Sequence, residues 1–334
     1  MSFSSSIRPF PNDRSTGSPP LPPIGRFEPP AAAASRPAPL ELPGWPLAAT
    51  DAADLQQQSG LAPLEIDLGE DVSMRFVPVP AGQFVMGSAR GEDNEFPQVA
   101  VSIERPFLLG QFEVTNAQFA RFDPEHNSGV IDERWKDRSR RGTAIDQPDA
   151  PVVRITWHQA QAFCEWLSRR SGRRCTLPSE GQWEWACRAG TATDFYVGDR
   201  QAELSPFANL ADESLRGWNH GRAETGYNDG LAYSVSGGRF APNAWGLYDM
   251  HGNVAEWCAS SYRPYPYSAT DGRETPAVDE AKVVRGGSWN ETFRDATSAA
   301  RWRYPPYQPV HNVGFRVAVE VEPAASVAAA AANP

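Results

Sequence analysis

Residues able to do chemistry are sparse in this chain. Five histidines (His126, His158, His220, His251, His311) and four cysteines (Cys164, Cys175, Cys187, Cys258) are scattered through 334 residues. No two histidines share HxxxH or HExxH spacing, so no helix face pairs them for a metal. The cysteines fit neither CxxC nor a compact zinc pattern and read as small buried apolar groups. The densest cluster is polar and aromatic instead. It is RGGSWNETFRDATSAARWRYPP, residues 285–306, which holds Ser288, Trp289, Glu291, Arg294, Arg303 and Tyr304. Arginine and aromatic side chains combine large contact area with bidentate polar contacts, and they dominate binding hot spots. Arg294, Arg303, Trp289, Tyr304 and Tyr307 are therefore candidates for a recognition surface, weighed against plain packing.

Several elements must position that stretch. Three helices open on capping boxes: Thr115 with Gln118, Thr156 with Gln159, and Ser179 with Gln182. The second carries Ala160, Phe163, Cys164 and Leu167 at i, i+3, i+4, i+7 and closes with Arg169 and Arg170 before Gly172. Cys164 thus falls on the buried stripe. MRFVPVPAGQFVMGS and FLLGQFEV read as short strands. Residues 191–243 show little periodicity and much Gly, Asn and Asp. A loop of that length needs something to organise it, and a bound cation is the natural candidate.

Composition sets the outer limits. With 41 acidic and 31 basic residues the formal charge is −10, so no electrostatic footprint for nucleic acid is expected. No apolar run approaches the length of a membrane span. The N-terminus lacks the apolar core of a secretory signal, which makes the cytoplasm the expected location. The first 63 residues carry 13 of the 31 prolines, a composition that cannot offset its own ordering entropy. The expected organisation is a disordered or extended segment over 1–70, one domain over 71–321, and a disordered Ala-rich tail over 322–334.

The signatures FVPVPAGQFVMGS, FEVTNAQFARF, VVRITWHQAQAFCEWL, LPSEGQWEWACRAGT, NAWGLYDMHGNVAEW, VVRGGSW and NVGFRVA follow one another along the chain. In this order they closely resemble the formylglycine-generating enzyme family, also called the sulfatase-modifying factor family, over roughly residues 72–320. The resemblance implies an α+β fold related to C-type lectins, with little regular secondary structure and long ordered loops. It also implies that Arg285 (RGGSW) and Arg316 (GFR) belong to the framework.

The family's copper oxidases hold the metal with two cysteines after the GGS signature, thiolates being the soft ligands that copper(I) prefers. Ser288 matches the signature serine, Glu291 falls where the first cysteine would be, and no cysteine follows Cys258. A pocket tryptophan of the oxidases is replaced by Ala255. Formylglycine formation is therefore not expected. Partners for Cys164 and Cys187, which some secreted relatives bridge, would fall near Ala299 and Val317 and are absent, so reduced thiols are expected. The family's iron-dependent members take histidines from a separate helical domain, and the first 70 residues contain no histidine.

Two structural calcium sites of the family transfer residue by residue. The first would use the Asn209 side chain, the Leu210 carbonyl, Asp229 and the Leu231 carbonyl. The second would use Asp249, the Gly252 and Val254 carbonyls, and Glu256. Mixed carboxylate, amide and carbonyl oxygens suit a hard cation, although such groups also cap turns. The leading expectation is a non-catalytic module stabilised by calcium. It binds a peptide or protein at a groove around Ser288, Glu291 and Arg303, and the Pro-rich N-terminus offers a second contact. The alternative is a metal- and oxygen-dependent oxidoreductase of non-heme iron type whose ligands are scattered.

Overall fold

Short apolar runs broken by glycine and proline fold into short strands, and here they build one five-stranded sheet, one four-stranded sheet and two two-stranded ribbons, with helices against them. The structure is a computed structural model, and it describes residues 38–131, 142–199, 204–215, 226–275 and 279–321. The chain runs through α1 (Ala49–Gln58), β1 (Leu64–Gly69), β2 (Val72–Val79), β3 (Gly82–Met86), β4 (Val99–Ile103) and β5 (Phe107–Gly110). Next come α2 (Asn116–Ala120), β6 (Val130–Ile131), β7 (Thr143–Ala144), α3 (Trp157–Ser171), β8 (Arg174–Thr176) and α4 (Glu180–Arg188). The last elements are β9 (Ala255–Ser261), β10 (Lys282–Arg285), β11 (Arg301–Tyr304), β12 (Val313–Gly314) and β13 (Ala318–Glu320).

A five-stranded sheet has the order β1-β2-β5-β13-β8, and a four-stranded sheet the order β11-β10-β9-β12. The C-terminal β13 sits between β5 and β8, antiparallel to both, so the chain's last strand closes the sheet begun by its first. All three expected capping boxes form, at Thr115, Thr156 and Ser179. Each satisfies two backbone or side-chain donors at a helix start and is worth about 1 kcal/mol. The apolar stripe of α3, Cys164 included, is buried in a core with Phe119, Trp257 and Phe315.

The expected domain over 71–321 is preceded by further ordered chain. Residues 38–70 are folded onto the domain, and only residues 1–37 of the proline-rich segment lie outside the described residues, as does the tail over 322–334. Trp45 packs on Phe84 and Trp185 at centroid distances of 5.9 and 5.6 Å. The Gln56 amide donates to the Pro78 and Trp245 carbonyls, and the Trp245 indole donates to the Ala52 carbonyl. Composition averaged over the whole segment hides these few anchors, which are enough to dock a ten-residue helix.

Between α4 and β9, the described residues contain one 3-10 turn (Glu213–Leu215) and no other helix. An Asn209–Gly252 bridge closes this long region on itself, and the Ala211 amide donating to Glu291 O and the Gly252 amide to Gly286 O, both at 2.9 Å, tie it to the rest of the fold. No helix among the described residues is long and apolar enough to cross a membrane.

Candidate functional site

The site rests on a helix that turns charge inward. Glu180, Glu184 and Arg188 repeat every four residues along α4, so they share one face, and all three are buried. Arg301 of β11 forks onto Glu180 at 2.6 and 2.8 Å. Arg285 of β10 pairs with Glu184, whose other oxygen accepts from Arg188 Nε at 2.9 Å and from the Gly87 amide at 2.8 Å. The Arg301 guanidinium also lies 4.3 and 4.2 Å from the Tyr262 and Tyr265 ring centres. On β9, Glu256 takes a bidentate contact from Arg316 at 2.6–2.8 Å and the Trp183 indole N–H at 2.7 Å. Arg285 and Arg316 are therefore internal framework, and Arg285 of β10 with Arg301 of β11 anchors both ends of the 286–300 stretch to α4.

Within that stretch a tight turn brings Ser288 inward. Gly286 and Gly287 have φ of +96° and +68°, and a Cβ on Gly287 would sit 2.6 Å from the Ala296 Cβ. Only glycine fits there. Ser288 is fully buried. Its hydroxyl lies 2.8 Å from Asn290 Oδ1 and 3.0 Å from Glu291 Oε2, and it accepts from Asn312 Nδ2 at 2.7 Å. Asn290 Nδ2 in turn donates to His311 Nε2 at 3.2 Å. The result is a network of Glu291, Ser288, Asn290, Asn312 and His311. Within it Asn312 Oδ1, and beside it Trp289 Nε1, are buried without a partner among the described residues.

The six residues expected to share a groove are only partly brought together. Ser288, Glu291 and Tyr304 are neighbours, and burial with the Glu291 charge raises the Tyr304 hydroxyl above its ordinary range. Trp289 is not a surface residue. Its ring is buried among Ile131, Ile145, Val153, Leu215 and Val254. Strand alternation sends Arg303 to the face opposite Tyr304, where it lies exposed 5.2 Å from the Tyr262 ring. Arg294 is exposed elsewhere, against Phe293. Among the described residues, Tyr307, 69% exposed, is the largest hydrophobic side chain presented to solvent.

The two expected calcium sets abut, because Asn253 N donates to Asn209 O at 2.9 Å and Asn209 and Gly252 are bridged. In the first set, Asp229 receives the Leu210 and Leu231 amides at 2.9 and 2.8 Å. The Leu231 carbonyl accepts from Ser214, and Asn209 Oδ1 is buried without a partner among the described residues. Burial, with Asp212 alongside, pushes the Asp229 carboxyl up to about 7. An orphaned amide oxygen beside an uncompensated carboxyl fits a hard cation. In the second set, Glu256 is already held by Arg316. Yet Asp249 and Glu113 are also buried here, and burial pushes Asp249 up to about 6. Glu113 is raised well above its usual range by burial and by the charges of Asp249 and Glu256. Three carboxyls thus share one guanidinium.

Cysteine–histidine chemistry is closed off by burial. Cys187 Sγ lies 3.7 Å from His251 Nε2, and both residues are fully buried. Desolvation pushes the thiol up to about 12 and the imidazole down to about 3, so each stays neutral. All four cysteines are free and buried. Among the described residues, no three His, Cys, Asp or Glu side chains converge as a metal-binding group.

Sequence reasoning missed Asn290, His311 and Asn312, and with them Glu113 and Asp212. The first three flank signatures it had already singled out (GGSWN and HNVGFR). Glu113 meets Asn253 and the Val254 amide across more than a hundred residues, a contact no local spacing encodes.

Comparison with known proteins agrees with this geometry. Residues 70–321 match the sulfatase-modifying factor enzyme 1-like domain. The chain is 30% identical over 267 residues to the serine/threonine-protein kinase pkn1 of Chlamydia pneumoniae, which covers 75% of this chain but only 39% of that protein's length. It is 29% identical over 302 residues to the formylglycine-generating enzyme of Thermomonospora curvata, covering 75% of this chain and 95% of the enzyme. Among solved structures, PvdO from Pseudomonas aeruginosa superposes with a TM-score of 0.64 at 25% identity, covering 78% of this chain and 100% of that one. The α+β domain described here therefore belongs to the formylglycine-generating enzyme-like, or sulfatase-modifying factor, family.

Proposed function

We propose that this chain is a binding module for an extended peptide or protein segment, built on the family scaffold and stabilised by calcium. One observation carries the reading. Where a thiolate pair would be required for copper, Ser288, Asn290, Glu291, His311 and Asn312 form a hydrogen-bonded polar network, and no cysteine follows Cys258. Beside this network, β11 is the edge strand of its sheet, paired among the described residues only with β10. An edge strand is the geometry by which an extended peptide adds itself to a sheet, while side-chain pockets supply specificity. Exposed Arg303 and Tyr307 flank that edge with the residue types that anchor such contacts. Asn209, Leu210, Asp229 and Leu231 would hold one calcium ion, whose role is to order the loop that carries them.

The test is an array of extended peptides probed with the full chain. We expect a defined set of binding sequences, weakened at least five-fold by both Arg303→Ala and Tyr307→Ala. Binding indifferent to both substitutions contradicts the reading. So does conversion of a cysteine peptide to formylglycine when the chain is supplied with copper and oxygen.

A further inference from the structure

A cavity bounded by residues 88–95, 194–199 and 293–297 encloses about 220 Å³. Its charged groups do not all cancel. Arg90 lies 3.2 Å from Asp199 and 3.9 Å from Asp194, which accounts for those three. Two others remain. Glu95 is 3% exposed, and no basic side chain makes an ion pair with it among the described residues. Arg294 is exposed at the cavity and lies 5.6 Å from the Phe293 ring, without an acidic partner among the described residues.

The wall around Glu95 is shaped for its carboxyl. A Cβ on Gly91 would stand 1.8 Å from Glu95 Oε2, so a larger residue there would displace the group. A buried carboxylate without a cation is costly, and burial accordingly pushes Glu95 up to about 7, with Glu184 opposing the help from Arg285. Phe195 and Phe293 add aromatic walls, and Glu92 adds a carboxyl at the rim. A ligand with only a positive charge would leave Arg294 uncompensated, and one with only a negative charge would meet Glu92 and Glu95.

We propose that this cavity binds a small zwitterion, a free α-amino acid, with its ammonium on Glu95, its carboxylate on Arg294 and its side chain against Phe195 and Phe293. The inference does not depend on the peptide-binding reading. The facing charged groups are Glu92, Asp194, Asp199, Arg90 and Arg294, with Glu184 and Arg285 behind the wall.

The experiment screens the common amino acids against the full chain by saturation-transfer NMR. Calorimetry then compares the best binder with its decarboxylated amine and its deaminated acid. Both analogues should bind at least ten-fold more weakly. Glu95→Gln, Arg294→Ala and Gly91→Ala should each weaken the amino acid at least ten-fold. Affinity should rise from pH 5.5 to 8 as Glu95 ionises, and that rise should vanish in Glu95→Gln. Because Arg294 is exposed, Arg294→Ala tests the site even if a Glu95 variant folds poorly. No amino acid binding, or binding that Arg294→Ala leaves unchanged, overturns the proposal.

Discussion

Two buried ionic regions of this molecule differ in how their charges are matched. Around α4, Glu180 and Glu184 meet Arg188, Arg285 and Arg301 at hydrogen-bonding distance. Around β9, the only cation facing Glu113, Asp249 and Glu256 among the described residues is Arg316. In the first region every carboxylate has a guanidinium partner, and these pairs hold β10 and β11 in place. The unmatched one, together with Asn209 and Asp229 nearby, is stable at neutral pH only if protons or a cation offset its charge. Burial alone therefore does not distinguish framework from site. The balance of charge within the buried set does.

The largest way to break this contrast is to unmatch the matched region. Glu184→Ala strands Arg188 and Arg285 and should cost about 3–5 kcal/mol by chemical denaturation. A loss under 1 kcal/mol would show that the lattice is not structural.

Glu95 is a third kind of case, a buried acid with no arginine in contact. Its carboxyl sits at about 7 in the folded chain against 4.5 as the reference. The folded chain therefore keeps a proton that the unfolded chain has lost, and the group subtracts stability as pH rises from about 4.5 to 7. Glu95→Gln should become progressively more stable than the parent across that window, by up to about 3 kcal/mol, and plateau above it. His251, lowered to about 3, acts in the opposite direction below 6.5, so the difference between parent and variant is the quantity to read.

Calcium should sharpen the unmatched side. Added at a hundred times its dissociation constant, it should raise stability by about 2.7 kcal/mol, and the gain should shrink in Asn209→Ala. Smallest of all is Arg303→Ala. This exposed side chain lies outside both regions, so thermal stability should stay within about 0.5 kcal/mol while peptide binding falls.

Much of the fold was legible because its determinants are local. Three capping boxes, the stripe of α3 with Cys164, and the ordered series of signatures are all spelled in adjacent residues. The framework roles of Arg285 and Arg316 followed from motifs that carry them. What failed to show is long-range. The docking of α1 depends on Trp45, Ala52 and Gln56 meeting Phe84, Pro78 and Trp245. Trp289 looked like a surface aromatic because its neighbours are polar, yet its ring points into a core assembled from residues 131 to 254. Arg294, Arg303 and Tyr304 are close in sequence but face three directions, since strand alternation and the turn at Phe293 separate them.

Elemental analysis of the full chain purified without chelators tests the central claim most directly. The account predicts calcium near one or two per chain, without stoichiometric copper or iron. Stoichiometric copper or iron would contradict it and make this family member a redox enzyme whose ligands lie outside the residues argued above.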